Sequence, residues 1–181
     1  MSARQLLALA LGATVVFWMV GAYNRLVRLR NAINQAWAKV DEAVGQRMAA
    51  VEPLLAALRQ PLAHEQGALD ALQAAHASAM QAATALRARP LHEPHARGWV
   101  AAEAVLSAAG SRVFALIEPH AELALQPAVA APSAAWHDAG SRLAFARQLY
   151  NEAAEQHDAA LAMFPTRVLT PLFGFRRAGR I

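Results

Sequence analysis

YNRLVRLRNAINQAWAKVDEAVGQRMAAVEPLLAAL, residues 23–58, is the stretch that decides the fold. Apolar side chains recur at Leu26, Leu29, Ile33, Trp37, Val40, Val44, Met48, Val51, Leu55 and Leu58. Their mean step of about 3.6 residues lines one face of a long helix. A step between about 3.5 and 3.6 suits helices wound gently left-handed around one another, in coiled-coil fashion, so antiparallel partner helices are expected. Pro53 has no N–H for the helix ladder and is expected to kink the run or divide it into two collinear pieces.

The partners lie downstream. A second helix is expected over about residues 62–89, with Leu69, Leu72, His76, Met80, Ala83 and Leu86 inward and Pro90 and Pro94 closing it. A third is expected over about residues 95–118, with Trp99, Ala102, Leu106, Ala109, Val113 and Ile117 on one side and Pro119 at its end. Residues 119–132, PHAELALQPAVAAP, carry three prolines and read as an irregular connection, after which Ser133 offers an N-cap. In the fourth helix Trp136, Gly140, Leu143, Arg147, Tyr150, Ala154, His157, Leu161 and Phe164 fall at 4,3 spacing, with Ala139, Ala146 and Ala153 beside them. Trp37 and Tyr150 read as core anchors of that seam.

Composition agrees with an all-α chain. Of 181 residues 56% are hydrophobic and 17% charged, which excludes general disorder and allows one domain with perhaps one appended segment. Roughly a quarter are alanine, so length rather than large core side chains must supply stability. The absence of cysteine excludes a disulfide scaffold, a thiolate zinc site and a cysteine nucleophile.

Upstream of the stripe the pattern changes. Residues 6–23, LLALALGATVVFWMVGAY, carry no charge and as a helix would extend about 27 Å, close to the hydrocarbon thickness of a bilayer. Leu6, Leu7, Leu9, Leu11, Val15, Val16, Phe17 and Val20 together favour insertion by about 2 to 5 kcal/mol. Arg4 precedes this segment, while Tyr23, Arg25, Arg28 and Arg30 follow it. The heavier basic flank places the C-terminal bulk in the cytoplasm by the positive-inside rule. A cleaved signal peptide is the competing reading, since Val20-Gly21-Ala22 offers small residues for a peptidase.

Net charge is +4, and sixteen of the seventeen basic residues are arginine, Lys39 being the exception. The basic clusters, Arg25, Arg28 and Arg30, then Arg176, Arg177 and Arg180, flank apolar segments, which favours lipid over nucleic acid. The tail, residues 164–180, places Val168, Leu169, Leu172, Phe173 and Phe175 around Pro165 and Pro171. It either packs back on the helices or dips into the membrane that holds the first segment.

Chemistry is sparse. His92 and His95, in His92-Glu93-Pro94-His95, are the closest histidine pair but lack further ligands nearby in sequence. His76 and His157 fall on inward stripes, where a bundle core could join them around a metal or haem. Glu103, Glu118, Glu152 and Glu155 do not form Glu-x-x-His pairs. Phosphate-cradling glycine loops, serine elbows and HExxH motifs do not occur. The expectation is no catalytic, metal or cofactor residue and no enzymatic activity. Asn24, Asn31, Asp41, Arg142, Arg147 and Asn151 read as hydrogen-bonding groups between the first and fourth helices, or as a contact surface for a protein partner.

The run Tyr23-Asn24-Arg25-Leu26-Val27-Arg28-Leu29-Arg30-Asn31, with Ile33, Ala36-Trp37 and Val40-Asp41, resembles the opening signature of the LemA family. Arg142-Leu143-Ala144-Phe145-Ala146-Arg147-Gln148-Leu149-Tyr150-Asn151 resembles its most distinctive block, and Phe164-Pro165 with Phe173-Gly174-Phe175 resembles its ending. Two positions depart: an expected Ile-Pro-Asn-Leu reads Glu52-Pro53-Leu54-Leu55, and an expected Tyr-Asn reads His157-Asp158. The resemblance implies a bacterial single-pass membrane protein with a long antiparallel helical bundle, no established enzymatic activity and no agreed biochemical role.

The expected architecture is all-α: a transmembrane anchor over residues 1–23, an antiparallel bundle of about four helices over 24–164, and an apolar, basic tail over 165–181. The expected function is that of an envelope scaffold or adaptor in the bacterial inner membrane, touching lipid through its first helix and a protein partner through its bundle, without nucleic acid. A homo-oligomer through the alanine-rich faces is compatible with this pattern. A helical bundle that binds a small cofactor or metal is the alternative.

Overall fold

Nothing between Ala3 and Ala49 interrupts the hydrogen-bond ladder of a helix, and α1 (Ala3–Ala49) runs unbroken through both the apolar segment and the start of the amphipathic stripe. The structure is a computed structural model that describes residues 3–90, 92–163 and 177–181. Pro53 cannot donate to the carbonyl of Ala49, and the ladder opens there. Ala50 forms a turn, its N–H 3.3 Å from the Arg47 carbonyl, before α2 (Val51–Leu58) resumes. A single 3-10 turn (Ala63–Glu65) then leads into α3 (Gln66–Ala88), followed by α4 (Glu93–Ile117), the one-turn α5 (Ala121–Ala124) and α6 (Pro127–Ala162). Among the described residues helix is the only regular secondary structure, with no strand.

Side-chain pairs give the directions. Asp41 meets Arg87 and Glu52 meets His76, so α3 runs back along α1 and α2. Leu26 clusters with Ala160 and Leu161, Trp37 meets Tyr150 and Arg47 meets Trp136, so α6 also runs antiparallel to α1. Trp99 lies by Arg147 and Phe114 by Trp136, which sets α4 antiparallel to α6. One continuous apolar core joins these helices, and a small second cluster of Leu26, Ala160 and Leu161 closes the end nearest the apolar half of α1. Every position of the α1–α2 stripe is buried except Leu29, which is half-buried.

Several expectations need correction. Met80 is exposed and Ala79 takes its place, because α3 follows the series 72, 76, 79, 83, 86. On α4 the buried positions between Trp99 and Val113 are Glu103, Leu106 and Gly110, while Ala102 and Ala109 lie at the rim. The connection expected over 119–132 is largely helical, and Ser133 lies inside α6 rather than capping it. The reason is positional: Pro127 occupies the first helical position, where a missing N–H costs nothing. Pro132 then forfeits one bond to the carbonyl of the exposed Ala128, which water can satisfy. The expectation for the apolar tail falls chiefly on residues 164–176 and Phe164, outside the described residues. Residues 177–181 lie against α6 and the start of α4.

Candidate functional site

The first site is the first half of α1, where the apolar side chains are exposed. Leu6, Leu7, Leu9, Leu11, Val15, Val16, Phe17, Trp18, Val20 and Tyr23 are exposed large hydrophobics, Phe17 by as much as 77%. The most apolar 18-residue window of this helix has a mean hydropathy of 2.0, with none of it buried. Among the described residues the first buried one is Leu26, so about 34 Å of helix, from Ala3 to Arg25, precedes the core. A contiguous apolar surface of this size on a soluble protein marks a membrane or partner contact. The one hydroxyl in its middle is satisfied within the helix, Thr14 Oγ1 donating to the Ala10 carbonyl at 2.9 Å, as hydrocarbon surroundings require. The exposed Arg25, Arg28 and Arg30 follow at the boundary. α4 is also long and apolar enough to cross a membrane, but its inward face is packed in the core and carries the ion-paired Glu103.

The second site is polar and internal. The Arg47 guanidinium on α1 donates to Glu103 Oε1 on α4 and, through Nη2, to Ser107 Oγ at 2.9 Å. Its Cζ lies 4.2 Å from the centroid of the Trp136 ring of α6, so one side chain ties three helices. Burial pushes the Glu103 carboxyl up, against the pull of Arg47 and Ser107. Burial likewise lowers Arg47, against Glu103, with the charge of Arg147 adding to the effect. Both directions say that desolvation outweighs the pairing. Gly110 is required beside this network, since a Cβ there would stand 2.5 Å from Trp136 Cζ2.

The third site surrounds Tyr150. Its ring meets Trp37 edge-on at 6.1 Å between centroids, so the expected aromatic anchors do pack together. The hydroxyl lies 2.6 Å from the Pro90 carbonyl and 3.0 Å from that of Gly179, with one proton for two acceptors. Burial pushes its pKa up to about 12, the nearby Asp158 adding to the shift, so it remains a donor.

The polar residues singled out in the sequence divide. Arg142 bonds Gln46 on α1, as expected for a link between the first and fourth helices. Asp41 instead holds Arg87 of α3 through three short contacts, Arg147 stacks 5.4 Å over Trp99, and Asn151 binds the backbone of Ile181. Asn24 and Asn31 are exposed. The histidines do not converge: His76 faces Glu52 at one end of the core, His157 faces Asp158 near the other, and the rings of His92 and His95 pack 4.3 Å apart. Among the described residues no three His, Asp or Glu side chains are grouped as a metal ion needs. The sequence weighed Glu103 only as a metal ligand and missed its place in the core, because a carboxylate interrupts an apolar pattern; the 4,3 series through 99, 103, 106, 110 and 113 was the available signal.

The family model described as the LemA family matches residues 36–180. The match begins at Ala36, includes the Tyr150 and Arg47 sites, and leaves the bare half of α1 outside it. No curated protein matches the chain.

Proposed function

The chain belongs to the LemA family, and from that premise we propose that it is a membrane-anchored scaffold or adaptor that works by binding rather than turnover. The carrying observation is the change within α1, where an apolar, largely exposed helix gives way at Leu26 to a buried stripe flanked by the exposed Arg25, Arg28 and Arg30. In this reading the helix crosses the bacterial inner membrane once, and the remaining helices form an antiparallel four-helix bundle on the cytoplasmic side, where the arginines hold them. The polar residues of the core support binding more than chemistry, because Arg47 and Glu103 are engaged with each other and Tyr150 with backbone. The partner is a protein, met by the bundle surface, and lipid is met by α1.

Deleting residues 1–23 should release the chain into the soluble fraction with its helical circular dichroism retained. Continued sedimentation with membranes would refute α1 as the anchor. Orientation is read with Leu125→Cys, at a position 78% exposed in a chain without other cysteines. Labelling by an impermeant maleimide only after lysis supports the cytoplasmic bundle, and labelling in spheroplasts overturns it.

A further inference from the structure

Residues 177–181, without regular secondary structure, lie in a cleft between α6 and the start of α4. Asn151 addresses both backbone groups of one residue: its Nδ2 donates to the Ile181 backbone oxygen at 2.5 Å, and its Oδ1 accepts from the Ile181 N–H at 3.0 Å. The Ala178 N–H donates to Asp158 Oδ1 at 3.0 Å, and Tyr150 shares its proton with the Gly179 carbonyl. Side chains are read by space. Ala178 and Ile181 are buried in the main core, whereas Arg177 and Arg180 are exposed. A Cβ at Gly179 would stand 2.7 Å from Glu93 Cα and 2.9 Å from Ala96 Cβ, so glycine is demanded there by the first turn of α4.

The same groups tolerate departure of the segment. Tyr150 keeps the Pro90 carbonyl at 2.6 Å, and the half-buried Asn151 and Asp158 can turn to water, so release orphans no buried donor. A site that is specific, reads backbone and can be vacated has the attributes of peptide recognition. We propose that this cleft is a recognition site for a small-glycine-any-aliphatic segment, filled in cis by residues 177–181 and open to the same segment of a second copy. Copies held in one membrane would then pair by exchanging it. The second copy is the occupant favoured because its segment has the sequence that this cleft is shown to fit. The proposal rests on the adaptor reading and gives its partner a chemistry.

The test uses two full-length, differently tagged variants expressed in one membrane. Gly179→Val keeps the cleft but spoils the segment, and Asn151→Leu keeps the segment but spoils the cleft, so their cleft and segment complement one another only in trans. Co-purification of this mixed pair at least about tenfold above either variant with itself is expected. Equal recovery of all pairings, or none, with both variants helical and membrane-bound, overturns the exchange. Should Asn151→Leu not fold, an acetylated and amidated Arg-Ala-Gly-Arg-Ile peptide serves instead. It should bind Gly179→Val saturably, and at least about tenfold more tightly than it binds the unaltered chain, whose own segment competes. Absence of binding overturns the proposal. Loss of membrane sedimentation, by contrast, would strike the anchor and leave the cleft standing.

Discussion

Glu103→Gln isolates what the buried pair does. Glu103 and Arg47 are only 3% and 8% exposed, and Glu103 Oε2 and Arg47 Nε have no hydrogen-bond partner among the described residues. Glutamine keeps the shape and the reach to Ser107 but removes the charge, leaving a guanidinium inside the core with Trp136 and Ser107 as its compensation. An uncompensated buried charge costs about 3 to 5 kcal/mol, which for a chain of this length is a fall of roughly 10 °C in Tm. Replacing both partners by Arg47→Met with Glu103→Leu removes two desolvation penalties together and should return stability to near that of the original chain, or above it. Melts followed at 222 nm in mild detergent compare the single and double variants with the original chain. A single variant within about 0.5 kcal/mol of the original, or a double variant as weak as the sum of its parts, would refute the reasoning.

Two further substitutions probe the packing around that pair. Trp37→Ala removes a ring that is 6% exposed and packed edge-on against Tyr150, and should destabilise by about 3 to 5 kcal/mol in a urea titration; an unchanged midpoint would make Trp37 a surface residue. Gly110→Ala places a methyl 2.5 Å from Trp136, forcing the indole from its place over Arg47; a loss of about 1 to 3 kcal/mol together with altered near-ultraviolet circular dichroism is expected.

The long helices were legible because apolar residues carry the period. From Leu26 to Leu58 the positions of the apolar stripe carry large hydrophobic side chains, and all but Leu29 are buried. On α4 the same reading slipped at two positions, since Glu103 and Gly110 occupy core places that no hydropathy rule would grant them. Their presence depends on Arg47 and Trp136, which arrive from other helices. The start of α6 was missed for a different reason: proline ends a helix from within but begins one at the first position, and composition alone does not say which role Pro127 plays. The cleft at Tyr150 had no local signature. Asn151 and Ile181 are thirty residues apart in sequence, and nothing in either neighbourhood announces that one will hold the other.

The continuity of α1 has a consequence for any partner. The same helix supplies the apolar segment and one wall of the core, without a proline or a break between Ala3 and Ala49. A helix that leaves the bilayer and enters the bundle unbroken passes its tilt to the bundle, because no hinge lies between the arginines and the first buried residues. From Arg25 to the end of α2 at Leu58 the rise is about 50 Å, so under the anchored reading the turn at Pro61 and the exposed Leu125 stand that far from the lipid surface. The Tyr150 cleft, at the level of Trp37, lies much nearer to it, about 18 Å along the same axis. Two copies in one bilayer would therefore present their clefts at equal height, which is the geometry that exchange of residues 177–181 between neighbours requires.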